Sequence, residues 1–282
     1  MWSTAVPGTF VTVLLIWTWS VVAGDLTIFL AEKSGIVGGI FIIISTFLVI
    51  LTITCYWRVI LIGPGSPLDF PELIPNDIDL LIPPPISLQW VTIKSDGNAR
   101  FCNKCKVWKP DRCHHCSGCD KCILRMDHHC PWFGTCIGYK NHRFFFQFLI
   151  YSTIYSILVG ILSSWYVWKQ LENGMISINV MFVAILGFVF GLSLLGFTGF
   201  TIYNLLTNRT TIEQYERQRY RHRRFDNPFD LGWKNNWHSV MKFGLLTWLP
   251  IGLQNDINGG ILFDNDRGQD LIARLSGEFS RV

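Results

Sequence analysis

Residues 100–143 read RFCNKCKVWKPDRCHHCSGCDKCILRMDHHCPWFGTCIGYKNHR. Eight of the nine cysteines in the chain lie within this stretch. Cys102, Cys105, His115 and Cys122 form the pattern C-x2-C-x9-H-x6-C, and Cys116, Cys119, His129 and Cys136 repeat it fourteen residues later. Zinc takes thiolate and imidazole donors at about 2.0–2.3 Å, and C-x2-C supplies two of them from one turn. Two tetrahedral structural zinc sites are therefore expected. Spacing alone leaves two alternatives open. One is a rival ligand set of Cys102, Cys105, Cys119 and Cys122. The other is a metal module with a purely structural or docking role. Disulfides fit poorly, because the charge pattern below places this segment in the cytosol.

The same repeat isolates one sulfur. His-His-Cys occurs at 114–116 and again at 128–130. Cys116 opens the second set together with Cys119. Cys130 would open a third, but the position that a partner needs holds Phe133. A thiol placed like a ligand yet without a partner, beside His128 and Asp127, is a candidate nucleophile.

Around this module the chain is written for a membrane. Half of its 282 residues are hydrophobic, its mean hydropathy is +0.31, and 16% are charged. A soluble domain carries about 25% charged residues. Four apolar stretches reach the ~20 residues that a spanning helix needs. They run from about 7 to 30, 36 to 57, 144 to 168 and 178 to 206. The first lacks the basic start of a cleaved signal peptide. Of 24 Lys and Arg, eleven fall in 58–143 and eleven in 207–282, leaving Lys33 and Lys169 for the opposite side. By the positive-inside rule both termini and the cysteine stretch face the cytoplasm. The expected fold is an all-α polytopic membrane protein, with four transmembrane helices and a cytoplasmic zinc domain between helices 2 and 3.

The expected organisation is helices 1 and 2 in 1–57, a connector in 58–99, the zinc domain in 100–143, helices 3 and 4 in 144–206 and a C-terminal region in 207–282. Prolines at 64, 67, 71, 75, 83, 84 and 85 bar the connector from regular helix. Gly187, Gly191, Gly196 and Gly199 suit close packing of span four. Thr210 and Glu213 fit a capping box that starts a polar helix. Arg217, Arg219, Arg221, Arg223 and Arg224 form a basic run next to the membrane, suited to anionic headgroups or to the phosphates of a cofactor. Trp233, Trp237 and Trp248 suit an interfacial lid; the apolar stretch from 243 to 253, broken by Pro250, is too short for a fifth span.

The run from Cys102 to Cys136, with Asp127-His128-His129-Cys130-Pro131-Trp132 inside it, resembles the cysteine-rich domain of the Asp-His-His-Cys (DHHC) protein S-acyltransferases, the palmitoyltransferases. Thr210-Thr211-Ile212-Glu213 and Asn227-Pro228-Phe229 with Asn236-Trp237 match further family motifs in order, so the likeness covers about residues 5–255. The wording VWKPDRCHHC and CPWFGTCIG is most similar to the fungal vacuolar branch. The resemblance implies two zinc ions on the ligand sets named above. It implies that Cys130 is acylated, that His128 is its base and that Asp127 orients His128. Thr211 supports that group, and Asn236 anchors the fold. Trp132, Phe145, Phe148 and Tyr155 correspond to acyl-cavity positions, Tyr155 near the closed end. The implied co-substrate is palmitoyl-CoA. The implied partners are membrane-associated proteins with cytoplasmic cysteines, and the favoured location is the vacuolar membrane. Two departures stand out: Gly134-Thr135 replaces the Asn-Asn of many members, and Cys113 lies where a ligand is not usual.

Other functions fit less well. The spans hold almost no ionisable residue beyond Asp25, which argues against an ion path. The basic residues lie beside the spans, which argues against nucleic acid as a partner. A zinc scaffold without catalysis remains the competing reading, and it requires Cys130 to be a metal ligand.

Overall fold

The computed structural model of the chain describes residues 5–75, 100–219, 227, 229–252 and 260. Four helices in it are long and apolar enough to cross a membrane: Val6–Lys33, Gly35–Ile62, His142–Glu172 and Ile178–Leu206. At 1.5 Å per residue, 28 residues span about 42 Å, more than the ~30 Å hydrocarbon core. These helices run past the apolar stretches that mark them. The second gains a turn through Arg58 to Ile62, and the third starts at His142. Polar residues at span ends cost little where they meet the interface, so hydropathy alone sets the boundaries short.

The first span is α1 (Ala5–Val21) and α2 (Thr27–Lys33), joined through a wide π turn at Val22–Leu26. The Thr27 hydroxyl donates to the Val22 carbonyl at 2.8 Å across it. Ser34 is extended, and the chain reverses into α3 (Gly35–Ile62). The third and fourth spans are α4 (His142–Glu172) and α5 (Ile178–Leu206), which form the most extensive helix pair. Their closest approach is Gly160 against Gly187, where a Cβ on Gly187 would lie 2.6 Å from the Gly160 Cα. Gly191 also faces α4, at Ile157, but Gly196 and Gly199 meet nothing within 4 Å. Only part of the glycine-rich stretch is therefore a packing seam.

The chain is not all helix. The cysteine-rich stretch is three short antiparallel hairpins. They pair β1 (Phe101–Cys102) with β2 (Val107–Trp108), β3 (His114–Cys116) with β4 (Lys121–Ile123), and β5 (His128–Cys130) with β6 (Thr135–Ile137). The fourteen-residue sequence repeat is a structural one. His115 pairs with Cys122 and His129 with Cys136, in the same register. Each hairpin turns through a residue of positive φ at that same interval: Lys106, Asp120 and Gly134. Glycine and asparagine both tolerate such a backbone, which explains Gly134 in place of asparagine.

Asn141 fixes this module to the spans. Its side chain accepts from the Gly138 N–H at 2.9 Å and donates to the carbonyls of Val59 (3.2 Å) and Cys136 (3.0 Å). The start of the connector forms two proline-led 3-10 turns, Pro67–Asp69 and Pro71–Leu73. Residues 76–99 of the connector, and all five arginines of the basic run from Arg217 to Arg224, lie outside the described residues or side chains. Beyond α5 come α6 (Thr211–Arg219) and α7 (Trp233–Met241).

Candidate active site

The hairpins interleave the two ligand sets. Cys102 and Cys105 sit at the first turn, and the β3–β4 pair His115 and Cys122 closes their set. Cys116 and Cys119 sit at the second turn, and the β5–β6 pair His129 and Cys136 closes theirs. In each set all four donor atoms lie within 4.8 Å of one another. In the first, Cys102 and Cys105 Sγ stand 3.7 and 3.3 Å from His115 Nδ1. In the second, Cys116, Cys119 and Cys136 Sγ stand 3.6, 3.4 and 3.6 Å from His129 Nδ1, and Cys119 Sγ is 3.5 Å from Cys136 Sγ. Zinc bonds of 2.0–2.3 Å at tetrahedral angles imply donor separations of roughly 3.5–3.8 Å. The residues present therefore fit two zinc ions, each held through Nδ1 of one histidine. Burial, then the Cys116 and Cys119 sulfurs, push the Cys136 thiol far up, a strain that a bound dication relieves. The rival set fails because Cys119 belongs with Cys116. Cys113 is fully buried beside Cys102 and Cys122 but stands outside both sets.

Cys130 belongs to neither set. It is buried among Tyr56, Phe133, Phe144 and Phe145. Phe133, where a partner thiol would stand, instead stacks on Tyr56 at 4.7 Å and meets Phe145 and Phe148 edge-on. On β5, His128 and Cys130 are two residues apart and so project to one side of the strand. Both line a cavity of about 540 Å³ that runs between the spans. Trp132, Phe145, Phe148 and Tyr155 line it too, and beside Cys130 a few polar groups interrupt a largely apolar wall: Thr18, Tyr56, His128, Ser152, Tyr155, Ser156 and Ser193. Within it the Tyr155 hydroxyl donates to Thr18 Oγ1 at 3.2 Å.

Asp127 is the most constrained group near the thiol. Its Oδ2 lies 2.7 Å from His128 Nδ1. Thr211 gives it two more hydrogen bonds, from the backbone N–H to Oδ1 (2.9 Å) and from the hydroxyl to Oδ2 (2.8 Å). Burial opposes ionisation of Asp127, but the hydrogen bond from His128, the neighbouring His128 charge and the Thr211 N–H outweigh it, and its carboxyl is held well below the usual range. For His128, burial disfavours the cation, yet the hydrogen bonds of Asp127 and Cys130 prevail and its pKa is pushed up to about 9. Thr211 thus reaches the site by holding Asp127 and does not line the cavity. The capping box forms as expected: Thr210 N–H donates to Glu213 Oε2 at 2.9 Å, and Glu213 N–H donates to Thr210 Oγ1 at 3.3 Å.

Sequence reasoning missed the hub behind this site. Asn208 takes a left-handed backbone, with φ +44°, and is buried at the end of α5. Its Oδ1 accepts from Arg112 Nη1 (2.9 Å) and Arg125 Nη2 (3.1 Å), and its Nδ2 donates to the Phe229 carbonyl at 2.7 Å. Arg112 also grips Glu213 through two bonds of 2.7 and 2.8 Å. Arg125 Nη1 reaches His142 Nδ1 at 3.1 Å. Two metal-module turns therefore meet at one carboxamide, three residues before Thr211, and their arginines link it to the start of α4 and to α6. The one sequence signal was an asparagine just past a helix end, a position that tolerates positive φ. Asn236 acts similarly at α7: its Nδ2 donates to the Leu206 carbonyl at 2.7 Å and to Asp230 Oδ1 at 2.6 Å.

Comparison with known proteins agrees with this geometry. A family model described as DHHC palmitoyltransferase matches residues 95–218. The chain is 44% identical to palmitoyltransferase PFA3 of Saccharomyces cerevisiae, over 70% of this chain and 66% of that one. It is 38% identical to palmitoyltransferase PFA3 of Candida albicans, over 93% of this chain and 83% of that one. It is 32% identical to human palmitoyltransferase ZDHHC2, over 86% and 71%. The chain thus spans just under two thirds of the Saccharomyces relative and more of the other two. With its interleaved Cys/His sets, its four apolar helices and these relatives, the chain belongs to the DHHC palmitoyltransferase family of membrane protein S-acyltransferases.

Proposed function

We propose that the protein moves a long acyl chain from acyl-CoA to cysteine thiols of membrane-associated proteins through an acyl-enzyme on Cys130. The observation that carries this reading is a buried thiol outside both metal sets, beside an Asp127–His128 pair, at a largely apolar cavity. A free cysteine has a pKa of about 8.5 and is mostly protonated at neutral pH. His128, made more basic by Asp127, takes the Cys130 proton and holds it. The thiolate attacks the thioester carbonyl, the bond to the CoA sulfur breaks, and CoA leaves with the proton from His128. A substrate thiol then gives its proton to His128 and attacks the acyl carbonyl, and the bond to Cys130 Sγ breaks. Asp127 fixes the imidazole by its Nδ1, leaving Nε2 for the proton in transit, and Thr211 fixes Asp127.

Zinc, when bound on the two sets, supplies structure: all four donors of each set are occupied, so no open position is left for substrate. The palmitoyl chain lies in the cavity between Cys130 and Tyr155. Each CH2 removed from water favours binding by about 0.8 kcal/mol, which selects long chains. Trp132, largely exposed, stands at the mouth. The CoA phosphates lie against Lys and Arg on the metal-module side. That side is cytoplasmic by the charge pattern. The vacuolar membrane is the favoured location, on the wording of the cysteine-rich stretch.

The test is incubation of the purified protein with a fluorescent acyl-CoA. Hydroxylamine-sensitive label on the wild type, and none on Cys130→Ser, is the expected result. Persistent label on the variant defeats the assignment.

A further inference from the structure

Residues 243–252 follow α7 and return to the spans. Positive φ at Lys242, Gly244 and Gly252 turns the chain at both ends of this segment. A short 3-10 helix, Leu245–Trp248, lies between the turns. Its polarity is inverted relative to a water-facing loop. Four backbone carbonyls, of Thr247, Trp248, Leu249 and Gly252, point inward onto side chains of the spans. Arg143 donates to the carbonyls of Thr247 (2.7 Å) and Leu249 (3.3 Å), and Gln147 to the same two at 2.8 and 3.2 Å. The Tyr151 hydroxyl donates to the Trp248 carbonyl, and Arg58 to that of Gly252. Leu249 packs against the helical core, and Pro250 is buried. The outward side chains are Phe243, Leu245, Leu246, Trp248 and Ile251, all exposed, with Leu245 at 91%.

Depth follows from the anchors. Arg143, Gln147 and Tyr151 form a stripe along α4, inside the third span. From Arg143 to Tyr151 is eight residues, or about 12 Å along the helix axis. Non-helical backbone is tolerated at that depth only where its polar groups are satisfied by protein; here Arg58, Arg143, Gln147 and Tyr151 take four carbonyls, and local turns take the Thr247, Leu249 and Ile251 N–H groups. An apolar outer face at the same depth is continuous with the lipid-facing sides of the helices.

We propose that residues 243–252 form a re-entrant wedge whose outer face contacts lipid acyl chains in the leaflet on the metal-module side. The wedge also ties α3 to α4 from the side away from the cavity, through Arg58, Arg143, Gln147 and Tyr151. The test replaces Leu245, and separately Leu246, with p-benzoylphenylalanine in the full chain. The protein is reconstituted in phosphatidylcholine nanodiscs and irradiated, and adducts are read by mass spectrometry. Ile43, exposed on the second span, serves as the lipid-facing control, and Asp120, exposed on the metal module, as the water-facing control. Phosphatidylcholine adducts at 245 and 246 in yields matching Ile43 support the wedge. Yields matching Asp120, or cross-links only to protein, overturn it. If one replacement prevents folding, the other position decides the question by the same criterion.

Discussion

Hairpins β3–β4 and β5–β6 share one backbone and one register, and both carry His-His-Cys on the first strand. They part company three residues later. In the first, Cys116 is followed by Cys119 and the two thiols hold a metal set. In the second, Cys130 is followed by Phe133, which fills the place of a partner thiol with an aromatic ring packed on Tyr56. The lesson is that withdrawing its partner frees a ligand position, which the proposed function then makes the reactive one. The strand still aims the sulfur, but it stands outside both ligand sets, and Phe133 helps to build the wall of the cavity.

The largest expected effect breaks this comparison directly. Cys116→Ser removes a donor from a full set, so the second zinc is lost, the module unfolds and expression of the protein collapses. Cys130→Ser, the same change at the equivalent position, leaves the zinc content and thermal stability near wild type while acyl transfer disappears. Metal analysis and thermal unfolding of both variants, side by side, read the difference. Equal zinc loss in the two would show that the hairpins are alike after all.

Next in size is Asp127→Asn. It retains shape but withdraws the charge that holds His128, and loss of an equivalent carboxylate in other nucleophile–base arrays lowers the rate by about 10⁴-fold. Thr211→Val removes one of the hydrogen bonds to Asp127. A bond to a charged group is worth about 1.5–3 kcal/mol, so the acylation rate falls roughly ten- to hundredfold with little change in KM for acyl-CoA. A fall in zinc content rather than rate would place Thr211 in the fold alone.

The pair also has a pH signature. The carboxyl of Asp127 is depressed, so its contribution is present above the ordinary carboxylate range and lost only as pH falls through its lowered value. The pKa of His128 is raised, so its contribution is complete below about 6.5 and is lost as pH rises through about 9. The stability gap between the wild type and Asp127→Asn, on the order of 2 kcal/mol, is therefore largest near pH 6.5 and narrows toward pH 9.5 as the His128 part is lost. Thermal unfolding in detergent across that interval checks it; a constant gap removes the ion pair from the account.

The smallest effect is expected at Tyr155, the proposed closed end of the cavity. Tyr155→Ala loses the bond to Thr18 and opens space, so acyl preference moves toward longer chains while total turnover changes little. An unchanged chain-length profile would put the end of the cavity elsewhere.

How much of this could be read from residues depends on range. The metal sets were legible because ligands three to ten residues apart are held by local turns. The spans were legible because hydrocarbon demands an uninterrupted apolar run. The free state of Cys130 followed from the repeat itself. The Asn208 hub was not legible, because Arg112, Arg125, His142 and Glu213 are joined to it by tertiary packing rather than by spacing. The hairpins were hidden because strands of two or three residues carry no period. The interfacial lid expected around Trp248 is a segment bound to α4 by its carbonyls, and no side-chain pattern records that. Gly196 and Gly199 looked like packing residues and face open space.

The central claim is that one sulfur is uncoordinated and carries the acyl chain. Peptide mapping by mass spectrometry after incubation with palmitoyl-CoA, with zinc counted on the same sample, tests it most directly. The account predicts a palmitoyl thioester on the peptide that contains Cys130, with two zinc ions per chain before and after acylation. A palmitoyl group on Cys113 or Cys55 instead, or zinc released in step with acylation, would contradict it.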